Sequence, residues 1–218
     1  LLGNHQKWWI WGKNVVGETL RAGRWHIHEL RLSETLPADV IQASRETATD
    51  LDVPVIIESP EELTSRCRSG EHQGFLAQMA PFPYEQVDNV LGAASESPLY
   101  VILDSIQDPY NFGAILRSAD VMAADAVFIG ETGQVGVTSL VARTSVGAVN
   151  HVRIVQAENL TDVVTKLKGN GVRTVAATGG AAIACADYDW KQPTALIIGN
   201  EGTGVSEALL ELSDERVS

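Results

Sequence analysis

Three residues far apart in the chain, Asn111, Arg117 and Glu201, carry groups able to cooperate on a phosphorylated ligand. Asparagine offers one acceptor and two donors. Arginine presents a fixed, permanently charged fork suited to phosphate. Glu201 lies in the run Gly199-Asn200-Glu201-Gly202-Thr203-Gly204, ahead of a predicted helix, where the helix dipole and free amides favour a carboxylate. Gly199 and Gly202 let the backbone approach a ligand closely. Arg117 follows Asn111 by six residues. That is under two helical turns, so both are expected at one mouth of a sheet. Each also has a plainer role: a surface ion pair of Arg117 with Asp120 or Asp125, a cap for Glu201, a simple turn for the glycines.

Several other chemistries lack their residues. No Gly-Lys-Ser/Thr makes a phosphate-binding P-loop. No glycine fingerprint follows the first strand of either half, which leaves a nucleotide-binding oxidoreductase as the weakest reading. No histidine has a partner at metal-ligand spacing; His26 and His28 share one strand face, a pattern of surface packing. Cys67 and Cys185 are too few for a disulfide framework or a cysteine-only zinc site, so no metal is expected.

The elements that must position these residues alternate between strand and helix. The spacing predicts helices over 12–23, 37–51 and 60–67, the last opened by the capping box Ser59-Pro60-Glu61-Glu62. Strands are predicted at 27–32, 53–57 and 74–79. Residues 85–98 read as a linker, ending in the small polar run Ala93-Ala94-Ser95-Glu96-Ser97-Pro98. Beyond it, strands at 99–103, 126–129, 151–155, 172–177 and 195–198 alternate with helices at 111–123, 138–143, 160–169 and 205–212. The class is α/β, a mainly parallel sheet with helices on both faces. Ligands of such sheets sit beyond the C-terminal strand ends. The loops there are Asp104–Gly113, Thr178-Gly179-Gly180 and Gly199–Gly204.

The chain has 218 residues, 44% of them hydrophobic, and a formal net charge of −12. That composition supports a buried core and argues against a generic nucleic-acid binder. Within residues 1–31 the sign reverses: Lys7, Lys13, Arg21, Arg24 and Arg31 oppose only Glu18 and Glu29, among Trp8, Trp9, Trp11 and Trp25. Two readings stand at even weight, a local RNA-contact surface and a tryptophan-rich strand packed on the core. No stretch is apolar enough to span a membrane and no secretion signal is read, so a cytoplasmic protein is expected.

Taken together, the loops resemble a known family. Asp108-Pro109-Tyr110-Asn111-Phe112-Gly113-Ala114-Ile115-Leu116-Arg117-Ser118-Ala119 is similar to the first motif of the SpoU (TrmH) RNA ribose methyltransferases, in the SPOUT superfamily. Gly199–Gly204 resembles the second motif, and Thr144-Ser145-Val146-Gly147-Ala148 lies between them as in the family. Gly12-Lys13-Asn14-Val15-Val16 and Leu20-Arg21-Ala22-Gly23 look like the small RNA-binding domain of many members. The resemblance implies a small α/β RNA-binding domain over 1–84, the linker 85–98, and a trefoil-knotted methyltransferase domain over 99–218. It implies S-adenosylmethionine as cofactor, transfer of a methyl group to a ribose 2′-hydroxyl, and a homodimer with composite sites. Ribosomal RNA is the first choice of substrate. The alternatives are transfer RNA and a non-catalytic RNA-binding or ribosome-assembly protein on the same fold.

The resemblance also implies roles. Arg117, Asn111 and Glu201 are the catalytic candidates. Thr178, Gly179, Ile198, Gly199 and Gly202 would bind cofactor. Lys13, Arg21, Arg24, Arg117 and Ser145 would contact RNA, with a helix-cap role equally open to Ser145. One departure from the pattern concerns the family's third motif, a final strand followed by a Ser-Leu-Asn loop and a helix. The sequence ends at Asp214-Glu215-Arg216-Val217-Ser218, where that strand begins. The expectation is a natural chain that continues to complete pocket and knot, and weak binding of S-adenosylmethionine by the 218 residues alone.

Overall fold

The computed structural model describes residues 8–218. These form two compact units, residues 8–83 with Val137–His151, and Tyr84–Gly136 with Val152–Ser218.

The first unit is built on a four-stranded sheet. Its elements are β1 (Trp9–Trp11), α1 (Lys13–Ala22), β2 (Ile27–Ser33), α2 (Ala38–Asp50), β3 (Val55–Glu58), α3 (Pro60–Cys67) and β4 (Phe75–Met79), in the sheet order β1-β4-β2-β3. Only β2 and β3 run parallel. Helix α1 stops at Gly23, whose left-handed backbone (φ 61°) donates to Thr19 O. Helix α3 opens with the reciprocal Ser59–Glu62 capping box. The tryptophan segment is a strand, and Trp9, Trp11 and Trp25 are buried while Trp8 is exposed. The packed reading therefore holds for those three: Trp9 and Trp11 lie in β1, and Trp25 in the connection between α1 and β2. Lys7 lies outside the described residues.

Helix α6 (Ser139–Thr144) and the turn Ala148–Asn150 belong to this first unit rather than to the second, where the sequence reading put them. Asn150 Nδ2 donates to Thr19 Oγ1 at 3.1 Å in a buried contact, and His151 meets Glu18 at 2.8 Å. Such ties between residues more than 130 positions apart have no local signature.

The second unit holds an all-parallel six-stranded sheet. Its strands are β5 (Leu99–Asp104), β6 (Ala126–Gly130), β7 (Ile154–Ala157), β8 (Arg173–Ala177), β9 (Thr194–Gly199) and β10 (Glu215–Val217), in the order β10-β8-β9-β5-β6-β7. The helices are α4 (Val87–Gly92), α5 (Pro109–Val121), α7 (Leu160–Gly169) and α8 (Glu207–Leu212). Alternate residues of β5 and β9 serve opposite faces. Tyr100, Ile102, Ala195 and Ile197 join Val163, Val164, Leu167 and Leu209 in one core, under α7 and α8. Leu99, Val101, Leu196 and Ile198 face α5 on the other side. Helices thus cover both faces, as read. The segment expected as a linker contains α4, because Val87, Val90 and Leu91 give it an apolar stripe, and Val90 is fully buried in the same core.

Candidate active site at the C-terminal rim

Strands β8, β9 and β5 are parallel neighbours, so the loops after them open on one rim. The β9 loop is a tight turn in which Asn200 and Gly204 exchange backbone hydrogen bonds (3.0 and 2.8 Å). Asn200 Oδ1 accepts from the Gly202 and Thr203 amides (2.8 and 3.2 Å). Its Nδ2 donates to Ser105 O at 2.8 Å, tying the turn to the β5 loop. A second tie runs from the Ser206 amide to Asp104 Oδ2, 2.6 Å. Gly199 sits where the chain crosses itself: a Cβ there would lie 2.1 Å from Gly204 C and Val205 N. No other residue fits that crossing.

On this base the rim joins two of the three catalytic candidates. Asn111 Nδ2 donates to Glu201 Oε1 at 2.7 Å, across ninety residues of sequence. Asn111 occupies the first turn of α5, which Asp108 caps by accepting from the Tyr110 amide (2.8 Å) and which Pro109 opens. The Asn111 hydrogen bond, followed by Glu201's own amide, holds the Glu201 carboxyl below its ordinary pKa. It is therefore a carboxylate at neutral pH.

Arg117 does not join that pair. Six residues rotate a helix by about 600°, which leaves Arg117 about 120° around α5 from Asn111. Arg117 is exposed and lines an open depression with Ala114, Ser118, Val121 and Met122. Its plainer partner Asp125 is engaged elsewhere, accepting from Ser95 N, Ser95 Oγ and Leu99 N.

The expected cofactor residues lie on the same rim. Ile198 and Gly199 end β9. Gly202 is held by Asn200, and Thr178 donates its amide to Val217 O at 2.8 Å, pinning the β8 loop to β10. A Cβ on Gly179 or Gly180 would meet nothing within 4 Å, so this loop's backbone is open on one side. Among the described residues no three His, Cys, Asp or Glu side chains cluster as a metal site.

The RNA candidates divide. Lys13 is exposed at the start of α1. Arg21 is exposed and paired with Glu18 at 2.5 Å, and Arg24 is half-buried. Ser145 takes the cap role left open to it: it is the C-cap of α6, 1% exposed, with its hydroxyl donating to Ala142 O at 3.0 Å. Sequence reasoning missed Asp104, Asn200 and Ser206, which hold the two loops together. An acid ending a strand and an asparagine after a strand-ending glycine were the available signals.

Comparisons with known proteins agree with this geometry. Residues 98–218 match the model of the SpoU rRNA Methylase family, and residues 9–85 match the RNA 2′-O ribose methyltransferase substrate binding model. A putative TrmH family tRNA/rRNA methyltransferase, YacO, of Bacillus subtilis is 32% identical over 94% of this chain and 83% of its own. An uncharacterized tRNA/rRNA methyltransferase of Mycobacterium ulcerans is 33% identical over 96% of this chain and 68% of its own. Among solved structures, the fold is shared with the SpoU methyltransferase AviRb from Streptomyces viridochromogenes, solved in complex with AdoMet. That match has a TM-score of 0.80 and 23% identity, over 96% of this chain and 79% of the other. An rRNA methyltransferase from Sinorhizobium meliloti shares it with a TM-score of 0.83 and 21% identity, over 98% and 79%. An α/β chain with both loop motifs on one rim of a parallel sheet is of the RNA methyltransferase class. This chain belongs to the SpoU (TrmH) methylase family.

Proposed function

We propose that the chain transfers a methyl group from S-adenosylmethionine to a ribose 2′-hydroxyl of RNA, with ribosomal RNA as its substrate. The observation that carries this reading is the Asn111–Glu201 hydrogen bond, which makes one site of the two motif loops. The family description supports the choice of ribosomal RNA, and the substrate-binding match over residues 9–85 supports RNA as the substrate. On this reading the first unit recognises RNA, with Lys13, Arg21 and Arg24 as its cationic contacts.

The rim fits the cofactor. The open glycine backbone at 179–180 admits a ligand, and the Glu201 carboxylate complements a sulfonium cation. Thr178, Gly179, Ile198, Gly199 and Gly202 would hold it. When bound, it supplies a methyl group already activated for transfer. The chain's residues then contribute position and charge. Glu201 fixes the Asn111 amide, leaving its carbonyl oxygen to accept from the ribose hydroxyl. Arg117 grips the neighbouring phosphate and stabilises negative charge growing on the 2′-oxygen. Its guanidinium stays charged, so it is no base; the hydroxyl proton passes to solvent.

Arg117 reaches this chemistry from a second copy of the chain. Its face of α5 also exposes Val121 (87%) and Met122 (68%), an apolar surface suited to self-association. Each site then combines Asn111 and Glu201 of one copy with Arg117 of the other.

The test is transfer of tritiated methyl groups to bulk RNA, followed by alkaline hydrolysis. Ribose methylation blocks cleavage of the adjacent phosphodiester, so label is expected in alkali-resistant dinucleotides from ribosomal RNA. Label released as single methylated nucleotides would mean base methylation and refute the proposal.

A further inference from the structure

The first unit contains a cavity that the chemistry at the rim does not use. Its volume is about 410 Å³, and Trp11, Asn14, Glu71, Gln73, Arg143 and Val146 line it. That size suits a small organic ligand. The Arg143 guanidinium carbon lies 4.3 Å from the centre of the Trp11 ring. Trp11 is 5% exposed, so the ring is a fixed floor. Arg143 is steadied at its edge by Glu71 at 3.3 Å.

The backbone around the cavity is unusual. Gly12, Gln73 and Val146 all have positive φ (109°, 53° and 53°). For a β-branched residue such as Val146 that is a strained conformation, which persists only where the surroundings enforce it. It holds an apolar side chain 53% exposed at the cavity's edge. Gln73 Oε1 accepts from the Lys13 amide at 2.9 Å, which leaves its Nε2 as a donor. Asn14 is exposed in the first turn of α1.

We infer that this cavity takes an unpaired nucleobase of the RNA. The base stacks on the Arg143 guanidinium, the Asn14 and Gln73 amides meet its hydrogen-bonding edge, and Val146 packs against its rim. Arginine planes and aromatic rings are surfaces on which single-stranded bases stack, and side-chain amides match base edges. A bare phosphate is a poorer occupant, because Glu71 already neutralises Arg143. A duplex is also poorer, because its bases are stacked on one another. Lys13, exposed beside the cavity, supplies the contact to the backbone phosphate. The inference rests on the reading of RNA as substrate and adds which feature of it the first unit selects.

The experiment measures binding of the whole chain to a fluorescently labelled ten-nucleotide single-stranded RNA and to the duplex of the same sequence, over a range of salt concentrations. Arg143→Lys keeps the charge and removes the plane. It is expected to weaken single-strand binding about tenfold, the scale of one stacked base, with duplex binding and salt slope unchanged. Lys13→Ala is expected to weaken both forms and to reduce the salt slope by about one. Asn14→Ala, at an exposed position that leaves packing intact, is expected to reduce only single-strand affinity. Parental single-strand affinity in both Arg143→Lys and Asn14→Ala would overturn the inference, as would equal losses on single strand and duplex. Methyl-transfer activity separates the two readings. A chain that transfers no methyl group but shows this single-strand preference keeps the subsite and loses the enzyme. A chain that methylates RNA without the preference does the reverse.

Discussion

At the scale of single residues, the site depends on an exposed carboxylate tuned by one amide. Asn111 lowers the pKa of Glu201, so the hydrogen bond survives as pH falls through the ordinary carboxylate value of 4.5. The folded pKa lies below the unfolded one, so the bond's contribution is complete above about 4.5 and is lost as pH falls through the folded value. A carboxyl titration followed by NMR is expected to place Glu201 below 4.5 in the parent and to return it toward 4.5 in Asn111→Ala. An unchanged midpoint would mean that the amide does not hold the carboxylate. Gly199 makes a second residue-scale prediction. A methyl group there meets backbone at 2.1 Å, so Gly199→Ala must displace the turn, at a cost of about 3 kcal/mol or more. Thermal denaturation measures that loss. Gly202→Ala, whose Cβ would sit 3.4 Å from Asn200 Oδ1, is expected to be far milder.

At the scale of elements, β10 is anchored through Asp214. Its Oδ2 accepts from Thr174 N and Thr174 Oγ1, both at 2.8 Å, and its Oδ1 pairs with Lys168 at 2.8 Å. Burial alone would raise the Asp214 pKa, but Lys168 and Thr174 together outweigh it and the pKa is lowered. The anchor is therefore complete above about pH 3.8 and fails as pH falls through the lower folded value. Protection of the Val217 amide is expected to fall in that acid range, and Asp214→Asn, which has no carboxyl to titrate, is expected to lower that protection at every pH and to abolish the acid step. Much of this scale was legible in the sequence. The Ser59–Glu62 box was readable because it is a local exchange between two side chains and two nearby amides. Strand β1 was weighed only as an alternative, because three residues of Trp and Ile carry no periodicity. Helix α4 was missed because its neighbours are the small polar residues of a linker.

At the scale of the whole molecule, the motif residues were identifiable, but how they combine was not. Asn111 and Glu201 are ninety positions apart, and only the parallel order β9-β5 brings their loops side by side. On the proposed reading, Arg117 serves the site of a second copy. Mixing inactive Arg117→Ala and Glu201→Ala chains is therefore expected to restore activity. One site of each mixed dimer is then intact, which gives up to about a quarter of parental activity in an equal, freely exchanging mixture, the share set by pairing of isologous copies. No recovery in mixtures shown to exchange subunits would place Arg117 in its own chain's site. The packing of 137–151 with the first unit was equally hidden, since the Asn150–Thr19 bond leaves no trace in either local sequence. The central claim is that the two motif loops act as one methyl-transfer site. The most direct measurement is a double-mutant cycle on Asn111→Ala and Glu201→Ala, read as the rate of methyl transfer to ribose. Residues acting as a unit give strongly non-additive losses. The predicted result is a loss of about a hundredfold for each single variant and no further loss for the pair; two independent losses that multiply would contradict it.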